Sequence, residues 1–333
     1  VVLAVMLVSV EASAGDQDSI FLQCVRKCTI SECNPVDAAS GQRHPRAVPW
    51  SLRLLGWTCP QECRYSCMHD IEAARIAMHA HPRQYYGKWA FRRAFGMQEI
   101  VSVLASIGNG YVHYRGFRFW HHARRLAQRD PARAAAFPWT TVFMLESAIA
   151  INAWFWSSVF HARDFDWTER MDYYAAGAVI FYATFAVMAR ALGWAPPVVH
   201  TAASRAKQPA TAARFVLLAV AWSTLFLCHI GKLMRGVRFD YGYNMAACAV
   251  VGMLGNLVWG GWAIRHSARR YPRLILSAAV GVVFAMALEL LDFPPIWGLV
   301  DAHSLWHAAT IPLALLKYEF HRRDVFYETA RRK

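Results

Sequence analysis

The 333-residue chain is 56% apolar, carries 14 tryptophans and has a mean hydropathy of +0.20, high for a soluble protein of this size. Its formal charge of +14 sits largely in short segments between long apolar blocks, the distribution that membrane topology produces, so the basic loops call for no nucleic-acid partner. No G-x-S-x-G elbow, P-loop, dinucleotide fingerprint or H-E-x-x-H motif occurs, which excludes serine hydrolases of that type, those nucleotide binders and that class of metalloprotease.

Residues 1–14 read as the end of a secretory signal peptide, an apolar run closing on Ala12-Ser13-Ala14 in the manner of a small-residue cleavage site. Residues 15–96 then form an exported cysteine-rich domain. It holds six of the eight cysteines: Cys24, Cys28, Cys33, Cys59, Cys63 and Cys67. An even number in a short exported segment predicts a disulfide framework, and the sequence leaves its pairing open. Some of these cysteines have C-x-x-x-C spacing, which also suits a metal, but an oxidising compartment favours disulfides. Cys228 and Cys248 fall in apolar blocks and read as small core residues.

Seven apolar blocks follow, at 97–114, 138–160, 172–192, 213–231, 244–264, 274–292 and 300–317. A membrane helix needs about 20 residues. The blocks predict an all-α membrane protein: a seven-transmembrane helix bundle over 97–317, with a small disulfide-rich N-terminal lumenal domain before it and a basic cytosolic tail at 318–333. Pro294, Pro295 and Pro312 interrupt the last two blocks, which neighbouring helices tolerate by satisfying the freed carbonyls. With the N-terminus exported, the cytosolic loops and tail carry 20 Lys and Arg, against 5 in the short loops opposite. That excess independently predicts a lumenal N-terminus and a cytosolic C-terminus.

On this topology His161, Asp172 and His303 lie near the lumenal ends of three different spans. Ser157 and His307 lie one turn deeper, about 5–6 Å by helix rise. His303-x-x-x-His307 puts two imidazoles on one helix face. With His161 they make three neutral nitrogen ligands and leave a fourth position open, the ligand set of a catalytic zinc. A lone interfacial histidine is more often just hydrogen-bonded. Three at one depth favour the metal, because polar groups in a membrane are costly. His229 is the rival ligand, but has no acid or histidine partner at helical spacing.

Asp172 could take a proton from a zinc-activated water, or serve only as a first-turn acid of its helix. Ser157, at i,i+4 from His161, could bond the water, Asp172 or a substrate carbonyl, or its own helix backbone. Ser158 is the alternative. Glu99, Glu146, Glu289 and Asp292 are further acids in or beside the spans that could support a ligand or fasten helices.

Ser157-x-x-x-His161, Asp172 eleven residues on, and His303-x-x-x-His307 in the last span together resemble the CREST superfamily of membrane hydrolases. That group includes alkaline ceramidases, progestin and adiponectin-type receptors, and the post-GPI-attachment-to-proteins factor 3 family. The last is the nearest in kind. It is suggested by the cysteine-rich head, by Cys59-Pro-Gln-Glu-Cys63-Arg-Tyr-Ser-Cys67-Met, and by Gly87-Lys-Trp-Ala-Phe91 leading to Gln98-Glu99, Ser102, Ser106 and Asn109. The resemblance covers about residues 20 to 320. It implies a zinc-dependent GPI-specific phospholipase A2 of the endoplasmic reticulum or Golgi membrane. Such an enzyme removes the sn-2 acyl chain from GPI anchors already attached to proteins. It also implies His161, His303 and His307 as zinc ligands, with Asp172 and Ser157 beside the catalytic water. GPI-anchored proteins and membrane lipids are then the partners. A ceramidase-like lipid amidase would need the same site, and a heptahelical receptor or cargo factor would use the metal structurally. The head would dock glycan or position the protein, or would act only as a disulfide-bonded lid for folding.

Overall fold

The computed structural model describes residues 13–34, 47–197, 209–236 and 239–330. Most of the expected signal-peptide remnant and the last three residues of the expected tail lie outside these.

Cysteine spacing builds the head. α1 (Ser19–Cys28), continued by a π-turn over Thr29–Cys33, runs antiparallel to α3 (Cys59–Ala77). Cysteines one turn apart on each helix face one another as rungs. The pairs are Cys24–Cys67, Cys28–Cys63 and Cys33–Cys59, with Cα separations of 5.9, 5.7 and 5.6 Å. The Asp18 side chain caps α1 by accepting from the Ile20 N–H, and the Gln61 side chain accepts from the Thr58 N–H at the start of α3. A short helix, α2 (Trp50–Arg53), precedes α3.

Long helices make up the rest: α4 (Ile100–Arg129), α6 (Thr140–Ala162), α7 (Asp166–Leu192), α8 (Pro209–Arg235), α9 (Tyr241–Arg265), α10 (Pro272–Leu291) and α11 (Ala302–Ala330). The six-residue α5 (Pro131–Ala136) links α4 to α6. Among the described residues five helices are long and apolar enough to cross a membrane: α6 to α10. The expectation of seven such helices therefore holds for five. α4 and α11 have the length, but buried polar residues lower their hydropathy: Ser102, Ser106, Asn109 and His113 on α4, and His307, His321 and Asp324 on α11. These two helices pack on each other, and their polar faces meet between them. The stretch expected as a tail continues α11 without a break to Ala330, with Phe320 and Asp324 fully buried.

The packing partners close a ring in the order α7, α6, α4, α11, α10, α9 and back to α7, with α8 outside it on α7. One end of the ring is filled by aromatics, among them Trp120, Phe137, Phe143, Phe185, Trp259 and Phe320. Arg190, Asp324 and Tyr271 tie α7, α11 and the start of α10 together there, at 2.9 and 2.8 Å. The opposite end keeps its interior polar.

Between these ends α4 and α11 approach so closely that a side chain at Gly116 would run into the Tyr318 ring. That ring cannot give way freely. Its hydroxyl is held by His113 Nδ1 at 2.8 Å and by Ser147 Oγ at 2.9 Å. Gly116→Ala is expected to destabilise the bundle by about 1–3 kcal/mol, read as a lower thermal midpoint in detergent. An unchanged midpoint would mean that the α4–α11 contact is looser than described.

Candidate metal centre

Local capping places two of the candidate ligands. Asp301 and Ser304 bond reciprocally: the Ser304 N–H donates to Asp301 Oδ1 at 2.8 Å and the Asp301 N–H to Ser304 Oγ at 3.0 Å. This capping box fixes where α11 begins, and so puts His303 and His307 on its inward face. His161 is the penultimate residue of α6, and Arg163 ends that helix by turning to extended backbone.

The three rings converge through one kind of atom. His303 Nε2 lies 2.8 Å from His307 Nε2 and 3.3 Å from His161 Nε2. Each Nδ1 has its own partner. His161 Nδ1 donates to Glu99 Oε2 at 2.6 Å, His303 Nδ1 to Glu289 Oε2 at 2.7 Å, and His307 Nδ1 lies 3.0 Å from Ser106 Oγ. With Nδ1–H of His161 and His303 engaged by carboxylates, their Nε2 lone pairs are left to face the cluster. Neutral imidazoles so arranged repel unless a cation lies between them. Tetrahedral zinc, with Zn–N of about 2.0–2.1 Å, sets its nitrogens about 3.3 Å apart; the His303–His161 distance matches this, the His303–His307 distance is shorter, and three imidazole nitrogens are a donor set that suits the ion. His161 and His307 are 2% and 5% exposed, while the His303 side chain keeps 34%, so the centre opens on the His303 side.

The structure gathers the other expected residues to different degrees. Asp172, half-buried in the second turn of α7, lies within electrostatic range of His161 and His303. Ser157 is buried 3.0 Å from Ser106 Oγ, which links it through a shared hydroxyl to His307. Ser158 instead donates to the Trp154 carbonyl of its own helix. His229 sits flat against Phe181 on the far side of α7 and takes no part in the cluster. The four acids separate cleanly. Glu99 and Glu289 hold the rings of His161 and His303. Glu146 pairs with Lys317 far from the histidines, and Asp292 binds the head through Gln84 and Trp89.

Ser106 and Lys88 are the site residues that sequence reasoning missed. Ser106 carried a signal, as part of the polar face Ser102–Ser106–Asn109, but its partner is 201 positions away. Lys88 comes from the head. Its Nζ lies 2.6 Å from Glu99 and 3.2 Å from Asp164. Burial alone would lower its pKa; the two carboxylates outweigh burial and hold it above the usual lysine range. The head also docks by a stack, with Trp57 touching the guanidinium groups of Arg93 and Arg163 at 3.3 and 3.7 Å. A cavity of about 830 Å³ between α6, α7 and α8 lies toward the aromatic end and contains none of the three histidines.

Comparison with known proteins places the chain in a family. The family model described as Per1-like family matches residues 49–325. The Protein PER1 homolog of Schizosaccharomyces pombe is 34% identical, over 96% of this chain and 89% of its own length. Two proteins named GPI-specific phospholipase A2-like PGAP3 are also similar. The Xenopus laevis protein is 35% identical, over 96% of this chain and 92% of its own length. The human protein is 32% identical, over 98% and 94%. No solved structure matches the chain. A family match over most of the chain, with full-length relatives above 30% identity, leads to one conclusion: the chain belongs to the Per1-like family.

Proposed function

We propose that this chain is a zinc-dependent phospholipase A2 that removes the sn-2 acyl chain from GPI anchors attached to proteins. The observation that carries the reading is the convergence of three imidazole Nε2 atoms whose Nδ1 atoms are each engaged. It occurs in a chain whose full-length relatives bear the name GPI-specific phospholipase A2-like. The chain lies in the endoplasmic reticulum or Golgi membrane with its head in the lumen, as the charge asymmetry between loops supports. α4 and α11 complete seven spans, because their polar residues face each other and the histidines rather than lipid.

The division of labour follows from position. His161, His303 and His307 hold zinc, oriented by Glu99, Glu289 and Ser106. When bound, zinc supplies positive charge that polarises an ester carbonyl and favours ionisation of a water. Asp172 accepts the proton of the attacking water. Ser157, already bonded to Ser106, donates toward the oxygen that gains charge as the ester opens. The ester needs no extraction from the bilayer. His303 is the second residue of α11 and His307 lies about 6 Å deeper, the level at which acyl chains meet headgroups.

The test compares the chain with its His303→Ala variant in cells lacking the endogenous activity. A GPI-anchored reporter is isolated and its anchor lipid read by mass spectrometry. The chain should yield an anchor without its sn-2 acyl group and the variant an intact one. An intact anchor in both overturns this function and leaves an amidase or a receptor with a structural metal. Hydrolysis in both overturns the metal site.

A further inference from the structure

The head reaches the carboxylate beside His161 through the Lys88 side chain. Residues 84–92, between α3 and α4, form a strap over the polar end of the ring. Its Tyr85 and Lys88 exchange backbone hydrogen bonds at 2.7 and 3.0 Å, closing a two-residue turn through Tyr86 and Gly87, both at positive φ. One arm of this hairpin is anchored on the disulfide head. Tyr85 is buried against Phe21 and donates its hydroxyl to Glu72 at 2.9 Å. Both arms are also stitched to the segment that joins α10 to α11. Gln84 and Trp89 donate to the two oxygens of Asp292 at 2.9 and 2.8 Å, and the Arg92 N–H donates to the Gly298 carbonyl at 2.8 Å. Held from both sides, the hairpin aims Lys88 inward, where its Nζ lies 4.0 Å over the Phe160 ring and 2.6 Å from Glu99 Oε1.

Glu99 is 4% exposed and both its oxygens are in use: Oε1 takes Lys88, and Oε2 takes the His161 Nδ1–H at 2.6 Å. A carboxylate held at one oxygen only is free to turn about its last torsion. Held at both, it has one orientation, and that orientation sets the plane of the His161 ring. We infer that Lys88 is a positioning residue: acting through Glu99, it fixes His161 for metal binding and makes the exported head an integral part of the centre. The inference rests on the reading of the three histidines as a zinc site. It gives the head a task distinct from glycan docking and from acting as a lid for folding.

The experiment measures zinc affinity of the purified full chain in detergent by competition with a chromophoric chelator, with thermal unfolding to verify folding. Lys88→Met should weaken zinc binding about tenfold, the lower range for removing a group that orients a ligand. Asp18→Asn breaks an ion pair of the head with Arg83 that lies outside the strap and does not touch Glu99, and should leave the affinity unchanged. In a Glu99→Gln background, adding Lys88→Met should have no further effect, because the carboxylate through which Lys88 acts is gone. That pair also leaves no Glu99 charge unpaired, so it decides the matter should Lys88→Met alone fail to fold. Folded Lys88→Met with unchanged affinity overturns the inference, as does an added loss in the Glu99→Gln background. A wild-type chain that binds no zinc overturns the metal reading itself and this inference with it, a result distinct from the other two.

Discussion

Replacing His307 with alanine will lower ester hydrolysis by the purified protein about 10³-fold or more, and will release zinc from the chain. The magnitude follows from the arrangement. A metal that stabilises the developing charge contributes several kcal/mol, and each 1.36 kcal/mol is about a factor of ten in rate. His307 is the most enclosed contributor on α11, with Trp154 packed edge-on against its ring at 5.3 Å and Ser106 on its other nitrogen. Ser157→Ala should cost far less, about 10²-fold, since it removes one donor and leaves the metal in place. Equal losses in the two variants would contradict the roles given to them. So would His307→Ala protein that keeps its zinc.

Lys317→Met will destabilise the bundle by about 3–5 kcal/mol without acting on the chemistry. Lys317, on α11, forms an ion pair with Glu146 on α6, and the Glu146 carboxylate side chain is only 7% exposed. Removing one partner strands the other charge in a low-dielectric interior. Removing both by Lys317→Met with Glu146→Gln should restore most of the lost stability, because the cost lies in the orphaned charge rather than in the lost attraction. Lys317 is ten residues from His307, about 15 Å along the helix, so folded Lys317→Met should keep its rate per molecule. The measurement is thermal unfolding of the two variants beside hydrolysis per folded molecule. A single variant as stable as wild type would mean that water reaches Glu146.

What could be read from the sequence divides along physical lines. Apolar length is a local property, so α6 to α10 were legible from their blocks. α4 and α11 were placed in the right region but underestimated, at 97–114 and 300–317 against Ile100–Arg129 and Ala302–Ala330. Their polar residues are partnered inside the bundle, and a hydropathy pattern has no access to partners. The same limit applies at the site. His161, His303 and His307 could be grouped because depth in a span follows from position along it. Which acid serves which imidazole could not, since Glu99–His161 is a contact across 62 residues and Glu289–His303 one across a connecting loop. The disulfide ladder is an intermediate case. Its spacing is helical, yet the pairing is decided only once α1 and α3 are seen to run antiparallel.

The closed ring has a consequence for the birth of the molecule. Its last joint is between the first and final long helices, α4 and α11, and the bond from Ser106 to His307 spans 201 residues of chain. A ribosome threading this polypeptide into a membrane has delivered Glu99, His161 and Asp172 well before the two histidines of α11 emerge. Closing so long a loop costs little more entropy than closing a shorter one, but it cannot begin until synthesis is nearly finished. The nascent chain therefore passes through the translocation machinery with the proposed centre unassembled. On the proposed function, lipolytic capacity would arise only on completion, and a message truncated before α11 would yield a membrane protein without His303 and His307.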